Sequence, residues 1–278
     1  MKTKYLLLIL LLVFNFKSFS QLDLWTVGTA RTIQKNRLEV SAFRPARYGL
    51  TNTLEISAQP FVFFFFPNAQ IKKNWYNRSF SIATVHGINY PSIFLNIVRK
   101  RDYEKIIPVD SVVPKLFVFK NEIIFSKILV ERTSCEAENL LLSLKIGVQF
   151  ALKFGESTLP LIEKPIIYQR TSVYHDKLLW YVGADLDGHI NDFLNFSVDV
   201  DFLSVGSSIN DYAIEHKGII LMPITNSLTV AGGYKISYGS YPSGNKFFIW
   251  PLIDISWTYN FKLSKPKQLD LFKNDKMY

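Results

Sequence analysis

From Leu140 to Phe154 the chain alternates without a break. Leu142, Leu144, Ile146, Val148, Phe150, Leu152 and Phe154 occupy one set of positions, and Ser143, Lys145, Gly147, Gln149, Ala151 and Lys153 the other. Side chains of a β-strand point to opposite faces with period two, so this stretch is a strand with one greasy and one wet face. It is far longer than the usual strand of about five or six residues and suits a tilted membrane-spanning strand of about nine to eleven residues with overhang. The pattern recurs. Leu178, Trp180, Val182, Ala184 and Leu186 oppose Tyr181, Gly183, Asp185 and Asp187; Leu194, Phe196, Val198, Val200 and Phe202 oppose Asn195, Ser197, Asp199 and Asp201. Leu228 to Gly239 and Ile253 to Phe261 form a further hairpin, with Lys235 and Asp254 on its wet face.

The greasy faces look either into a soluble core or at lipid. Charges deep inside long strands (Lys145, Lys153, Asp185, Asp199, Lys235 and Asp254) favour a transmembrane barrel whose wet face lines a lumen. Aromatic residues make up 15% of the chain and gather at strand ends, as at Trp180, Tyr181, Phe202, Tyr238, Tyr241 and Trp257 to Phe261, where interfacial girdles lie. No segment has the roughly twenty apolar residues a spanning helix needs. A closed sheet is the strand-built way to satisfy backbone polar groups in lipid. The expected fold is therefore all-β, a transmembrane antiparallel up-and-down β-barrel of 10–12 strands.

The organisation follows. Lys2 and Lys4 precede the apolar run Tyr5 to Phe16, and Ser18 and Ser20 stand at minus three and minus one of a cut after Ser20; residues 1–20 read as a signal peptide. Residues 21–261 read as the barrel and 262–278 as a basic tail. Three lysines of the signal and five between Lys262 and Lys276 account for much of the net charge of +9, and no aromatic–basic interleaving of a nucleic-acid binder is present. Leu22 to Ile33 is a lead-in or a strand, Arg44 to Asn52 a turn between two strands, and Pro60 to Phe66 a strand continuation apolar on both faces or a rim at the membrane interface. Arg99 to Pro114 reads as loop. Ile166 to Asp187 reads as a long strand or strand pair ending in a turn at Gly188 to Asp192. Tyr212 to Ile224 is a strand of unassigned parity. No segment reads as a helix. Cys135, the single cysteine, reads as a free thiol in a polar turn.

The chemistry-bearing groups are few. Asp185, Asp187 and His189 share one strand face and could seat a divalent cation, with Asp199 and Asp201 beside them; a hydrated lumen wall near a hairpin tip, where Asp-rich turns are ordinary, is the favoured account. His86 with Ser79 or Ser81 is the one suggestive serine–histidine grouping. His175 and His216 read as strand-end polar residues. No catalytic, cofactor or metal residue is assigned and no cofactor is expected. Lys145, Lys153, Asp185, Asp187, Asp199, Asp201, Lys235 and Asp254 are the expected lumen-lining residues, either neutralising one another or setting a solute preference.

The stretch GTARTIQKNRLEVSAFRPARYGLTNTLEIS (Gly28 to Ser57), with NEIIFS (Asn121 to Ser126), YHDKLLWYVGADLDG (Tyr174 to Gly188) and EHKGIILM (Glu215 to Met222), resembles uncharacterised bacterial outer-membrane β-barrel proteins carrying a Tyr-Gly-Leu-Thr turn near the N-terminus. Such barrels commonly end on an aromatic residue of the last strand, whereas here a basic tail follows Phe261. The resemblance implies an outer-membrane location after secretion, contact with outer-membrane lipid, and the barrel-assembly machinery as a partner during biogenesis. The expected function is a passive channel or small-solute binding or transport barrel. The alternatives are a lipid- or envelope-modifying enzyme and a structural barrel with a blocked lumen.

Overall fold

The structure, a computed structural model, describes residues 27–101, 106–130, 140–164, 166–175, 178–191, 193–206 and 211–261. The signal segment 1–20, the tail 262–278 and Cys135 lie outside them. Twelve strands form the wall: β1 Arg37–Ser41, β2 Ala46–Thr51, β3 Leu54–Ala58, β4 Asn68–Asn77, β5 Ser81–Asn89, β6 Lys115–Val130, β7 Leu140–Phe154, β8 Leu179–Asn191, β9 Leu194–Val205, β10 Tyr212–Pro223, β11 Leu228–Tyr241 and β12 Gly244–Asn260. Each pairs antiparallel with its sequence neighbour, and β1 closes onto β12 with Ser41 opposite Ser256 and Arg37 opposite Asn260. The wall is thus a closed up-and-down barrel. β12 ends at Asn260, beside the Phe261 strand end read from the sequence.

The alternation sets which face looks out. On β7, Leu144, Ile146 and Leu152 are exposed outward, while Ser143 is buried. On β12, Ile253, Ile255, Trp257 and Tyr259 are exposed outward, while Asp254 and Ser256 are buried. Buried polar side chains such as Glu55, Lys72, Asp185 and Glu215 face the interior, the inverse of a soluble core. Within a closed barrel no edge is left over where the strands pair, and every inward position competes for the same narrow interior.

Several sequence expectations change. Arg44 to Asn52 is not a turn: Ala46–Thr51 form β2, paired with both β1 and β3. The phenylalanine run does not continue β3. It folds as a 3-10 turn at Pro60–Val62 and a following bend, because Pro60 and Pro67 remove ladder donors. Phe61, Phe63, Phe64 and Phe65 are exposed there. Two helices were not anticipated: α1, Ser92–Lys100, and α2, Tyr168–Ser172, the latter running into a 3-10 turn at Val173–His175. Ile166 to Asp187 is therefore not one continuous strand. The β8–β9 hairpin turns after Asn191, so Gly188 lies inside β8 rather than in a turn. Tyr181 and Tyr241 belong to the inner face and are buried, and so leave the girdle.

The two ends of the barrel differ. At one end β2 and β3 are joined over residues 52–53 alone. At the other, the described parts of the connections between β5 and β6 and between β7 and β8 fold back over and into the mouth. Leu95 of α1, Ile107, Leu159, Ile162, Val173 and Tyr174 pack there against inward-facing Leu116, Val118, Leu179, Leu203 and Val205. Inward positions that are apolar at the strand ends and polar lower down create this stopper, since apolar groups gather where they can leave water together. Ser92 anchors α1: its hydroxyl donates to Pro114 O at 2.8 Å and accepts from Leu116 N–H at 2.8 Å.

Candidate functional site

The lumen wall carries alternating ions that have left water and are therefore paired, since an isolated buried charge is costly. Lys145 on β7 lies 3.0 Å from Asp185 on β8 and 2.8 Å from Asp201 on β9. Lys217 on β10 pairs with Asp199 on β9. Glu215, two positions along β10, accepts from Arg170 of α2 at 2.7 and 2.5 Å and pairs with Lys235 of β11 at 2.7 Å. Glu122 on β6 takes Lys120 at 3.1 Å and the Tyr181 hydroxyl at 2.5 Å. Around the short strands, Glu39 holds Arg47 at 2.8 Å and Arg44 at 3.2 Å. Asp254 accepts from Ser41 and Arg44.

The eight residues expected in the lumen lie on the inner face. Lys145 meets Asp185 and Asp201. Asp199 takes Lys217, Lys235 takes Glu215, and Asp254 takes Arg44. Asp187 is buried on the inner face opposite Ser197. Lys153 shares the face but sits exposed at the last turn of β7. Glu215 and Arg170, which form a two-pronged pair, escaped sequence reading. The parity of β10 was unassigned, although Ala213, Glu215 and Lys217 alternate with Ile214, His216 and Gly218. Arg170 lies in a segment read as strand.

Two inserts occupy the lumen. The first is the segment 28–34 ahead of β1, read from the sequence as a lead-in or a strand. Thr29 and Ala30 are fully buried. Ala30 N–H donates to Ser126 Oγ at 2.8 Å, Asn74 donates to Ala30 O at 2.7 Å, Lys72 donates to Arg31 O at 2.8 Å, and Ile33 N–H donates to Glu55 at 2.8 Å. The wall's polar residues thereby satisfy an irregular backbone, as burial demands. A Cβ at Gly49 would stand 2.0 Å from Gln34 O, so β2 admits this segment only where it lacks a side chain.

The second insert is α2. Burial opposes the charge on Arg170, but the hydrogen bonds and charge of Glu215 outweigh it and raise its pKa above the ordinary guanidinium value. Tyr168 packs on Tyr241 with ring centroids 5.6 Å apart. Burial and the nearby Asp211 carboxylate push its phenol up to about 12. Between α2 and the β4–β7 wall lies a cavity of about 280 Å³, lined by Asn68, Gln70, Asn89, Lys120, Gln149, Arg170 and Tyr174 among others. That volume is near the lower end for small-molecule sites, roughly 300 Å³.

The other constellations do not assemble. His86 faces outward, bonded to Asn121 at 2.8 Å, whereas Ser81 is buried on the inner face. Asp185, Asp187 and His189 do share the inner face, but Lys145 and Lys217 supply the cationic charge beside them. Among the described residues no trio of His, Cys, Asp or Glu is placed to hold a metal ion.

Fold and lumen together define a closed twelve-stranded β-barrel, apolar outside, charged inside, with two segments of its own chain in the lumen. No family model matches the chain, and no curated protein matches it. Among solved structures it is similar to one described as "KdgM porin in complex with disordered oligogalacturonate", at 9% identity and a TM-score of 0.40, covering 81% of this chain and 97% of that one.

Proposed function

We propose that the protein is an outer-membrane β-barrel that binds or passes a small solute, with its lumen held shut by its own N-terminal segment and α2. The observation that carries this reading is the distribution of side chains over a closed wall. Exposed Leu, Ile, Phe and Trp stand outside and paired charges inside, and a polar cavity of about 280 Å³ lies against α2. An apolar band outside a polar interior is what a wall in hydrocarbon requires. The long connections that carry α1 and α2 leave one end of the wall, as extracellular loops do in such barrels, which supports an outer-side position for α1 and α2. Outer-membrane lipid surrounds the wall, and the resemblance to bacterial outer-membrane barrels supports assembly by the barrel-assembly machinery.

A swelling assay on proteoliposomes tests the reading. Sugars and amino acids of graded size should permeate faster once residues 28–34 or α2 are deleted than through the intact protein. A second reading, a structural barrel with a blocked lumen, is favoured by the same two inserts. It predicts no solute binding to the intact protein and no difference between sugars of equal size after deletion. A protein that stays soluble without detergent and shows no heat-modifiable migration would sink both.

A further inference from the structure

The barrel wall is uneven in height. β1, β2 and β3 have 5, 6 and 5 residues, whereas β11 and β12 have 14 and 17. β12 pairs with β1 only from Ser256 to Asn260, and Ala42 N–H adds one bond to Ile255 O at 3.0 Å. Thr258 N–H donates to Ser227 O on the β11 side, so the even-numbered residues of β12 bond toward β11 and the odd-numbered ones away from it. From Asn245 to Ile253 the odd-numbered backbone groups therefore meet no strand among the described residues. Pro251 falls in this odd series, where its missing N–H breaks no ladder bond. The result is a notch above the β1–β2 turn.

Both lips of the notch are apolar. On β12, outward-facing Phe247, Ile249 and Ile253 are 63%, 59% and 69% exposed. Beyond the β1–β2 turn lies the Pro60 to Phe66 turn, with Phe64 83% exposed. Gln59 ties that turn to the β1–β2 turn by donating to Phe43 O at 2.6 Å. Phe66 stacks edge-on against Phe94 of α1, 6.4 Å between ring centroids. Phe66 and Asn68 at the root of this lip also line the polar cavity. Inside the cavity the Oδ1 of Asn89 is buried without a hydrogen-bond partner. Lys120 and Arg170 are already ion-paired with Glu122 and Glu215, so the uncharged groups offered to a ligand are the amides of Gln70, Asn89 and Gln149.

An unpaired strand edge at membrane depth is unfavourable unless something polar meets it. An apolar doorway beside an amide-lined cavity with which it shares Phe66 matches a molecule that is polar at one end and greasy at the other. We propose that the notch is a lateral portal through which an amphipathic molecule seats an uncharged, hydrogen-bonding headgroup in the cavity while its tail lies between the two lips in lipid. This rests on the barrel being a membrane protein that takes up small solutes, and adds the class of solute and its route.

The test uses the full-length protein in lipid vesicles and an alkyl glucoside bearing a photoactivatable diazirine in its tail, with labelled residues located by mass spectrometry. Labelling should concentrate on 60–66 and 244–253. It should be competed by unlabelled alkyl glucoside and not by glucose. The Asn89→Leu/Gln149→Leu double variant should lower it about tenfold, as loss of two net hydrogen bonds implies, with heat-modifiable migration retained as the check on folding. Labels spread evenly around the outward face, as for ordinary annular lipid, overturn the portal. Competition by glucose as strong as by the alkyl glucoside also overturns it, but leaves the small-solute reading standing. Absence of both labelling and glucose permeation by the insert-deleted protein overturns the two together.

Discussion

Arg170→Ala should loosen the α2 insert without unfolding the barrel. Arg170 makes two charge-assisted hydrogen bonds to Glu215, at 2.7 and 2.5 Å. Such bonds are worth roughly 1.5–3 kcal/mol each in favourable sites. Here the sum must be reduced, because the Arg170 side chain is 36% exposed and exposed ions recover hydration. Glu215 is not orphaned by the change, since Lys235 remains 2.7 Å away. A net cost of about 2–3 kcal/mol to the seated state follows, or a rise in the open population of roughly thirty- to a hundredfold at 1.4 kcal/mol per decade. Hydrogen–deuterium exchange reads this directly. Amides of 166–175 should exchange faster by that factor, while those of β8 and β9 are unchanged. Planar-bilayer recordings should show more frequent openings. Arg170→Lys should fall between the two, because an ammonium keeps the charge but not the bidentate fork. Unchanged exchange in 166–175, or acceleration spread evenly over the wall, would refute the latch.

Three further outcomes are expected. Gly49→Ala puts a methyl group against the Gln34 carbonyl, so the segment 28–34 must shift; limited proteolysis should cut there more readily, and solute permeation should rise while the barrel keeps its heat-modifiable migration. Lys145→Met strands Asp185 and Asp201 and should destabilise by about 3–5 kcal/mol in denaturant titration from lipid, with partial recovery on adding Asp201→Asn. Ile146→Arg places a charge on the outward face in the middle of β7, costing about 2–4 kcal/mol near the bilayer midplane, and should reduce insertion yield; Gln149→Arg, on the inner face, should insert normally. Equal yields for those two variants would contradict the outward-to-lipid assignment.

The faces of β7, β8, β9, β11 and β12 are legible in the sequence because a period of two records only which residues share an environment, and each strand carries that record locally. The inward placement of Lys145, Asp185, Asp199, Asp201, Lys235 and Asp254 follows from it. β2 was missed because Arg47, Tyr48 and Gly49 sit among Pro45 and Asn52, and six residues are too few to establish a period against such turn signals. α2 was missed because a five-residue helix has barely more than one turn of periodicity. It exists because Tyr168 and Val173 are buried against the wall, a tertiary cause.

What the sequence determined by itself is therefore the inside and outside of a strand-built wall, since alternation is set by the geometry of consecutive residues. What only the tertiary structure decided is how the interior is filled. Closing twelve strands brings Glu215 to Arg170, 45 residues away, and Ala30 to Ser126, 96 residues away. It also leaves the short strands β1–β3 beside the tall edge of β12. Charge pairing across a lumen, the folding-in of irregular segments and the height of a wall depend on register and closure, which no local pattern encodes.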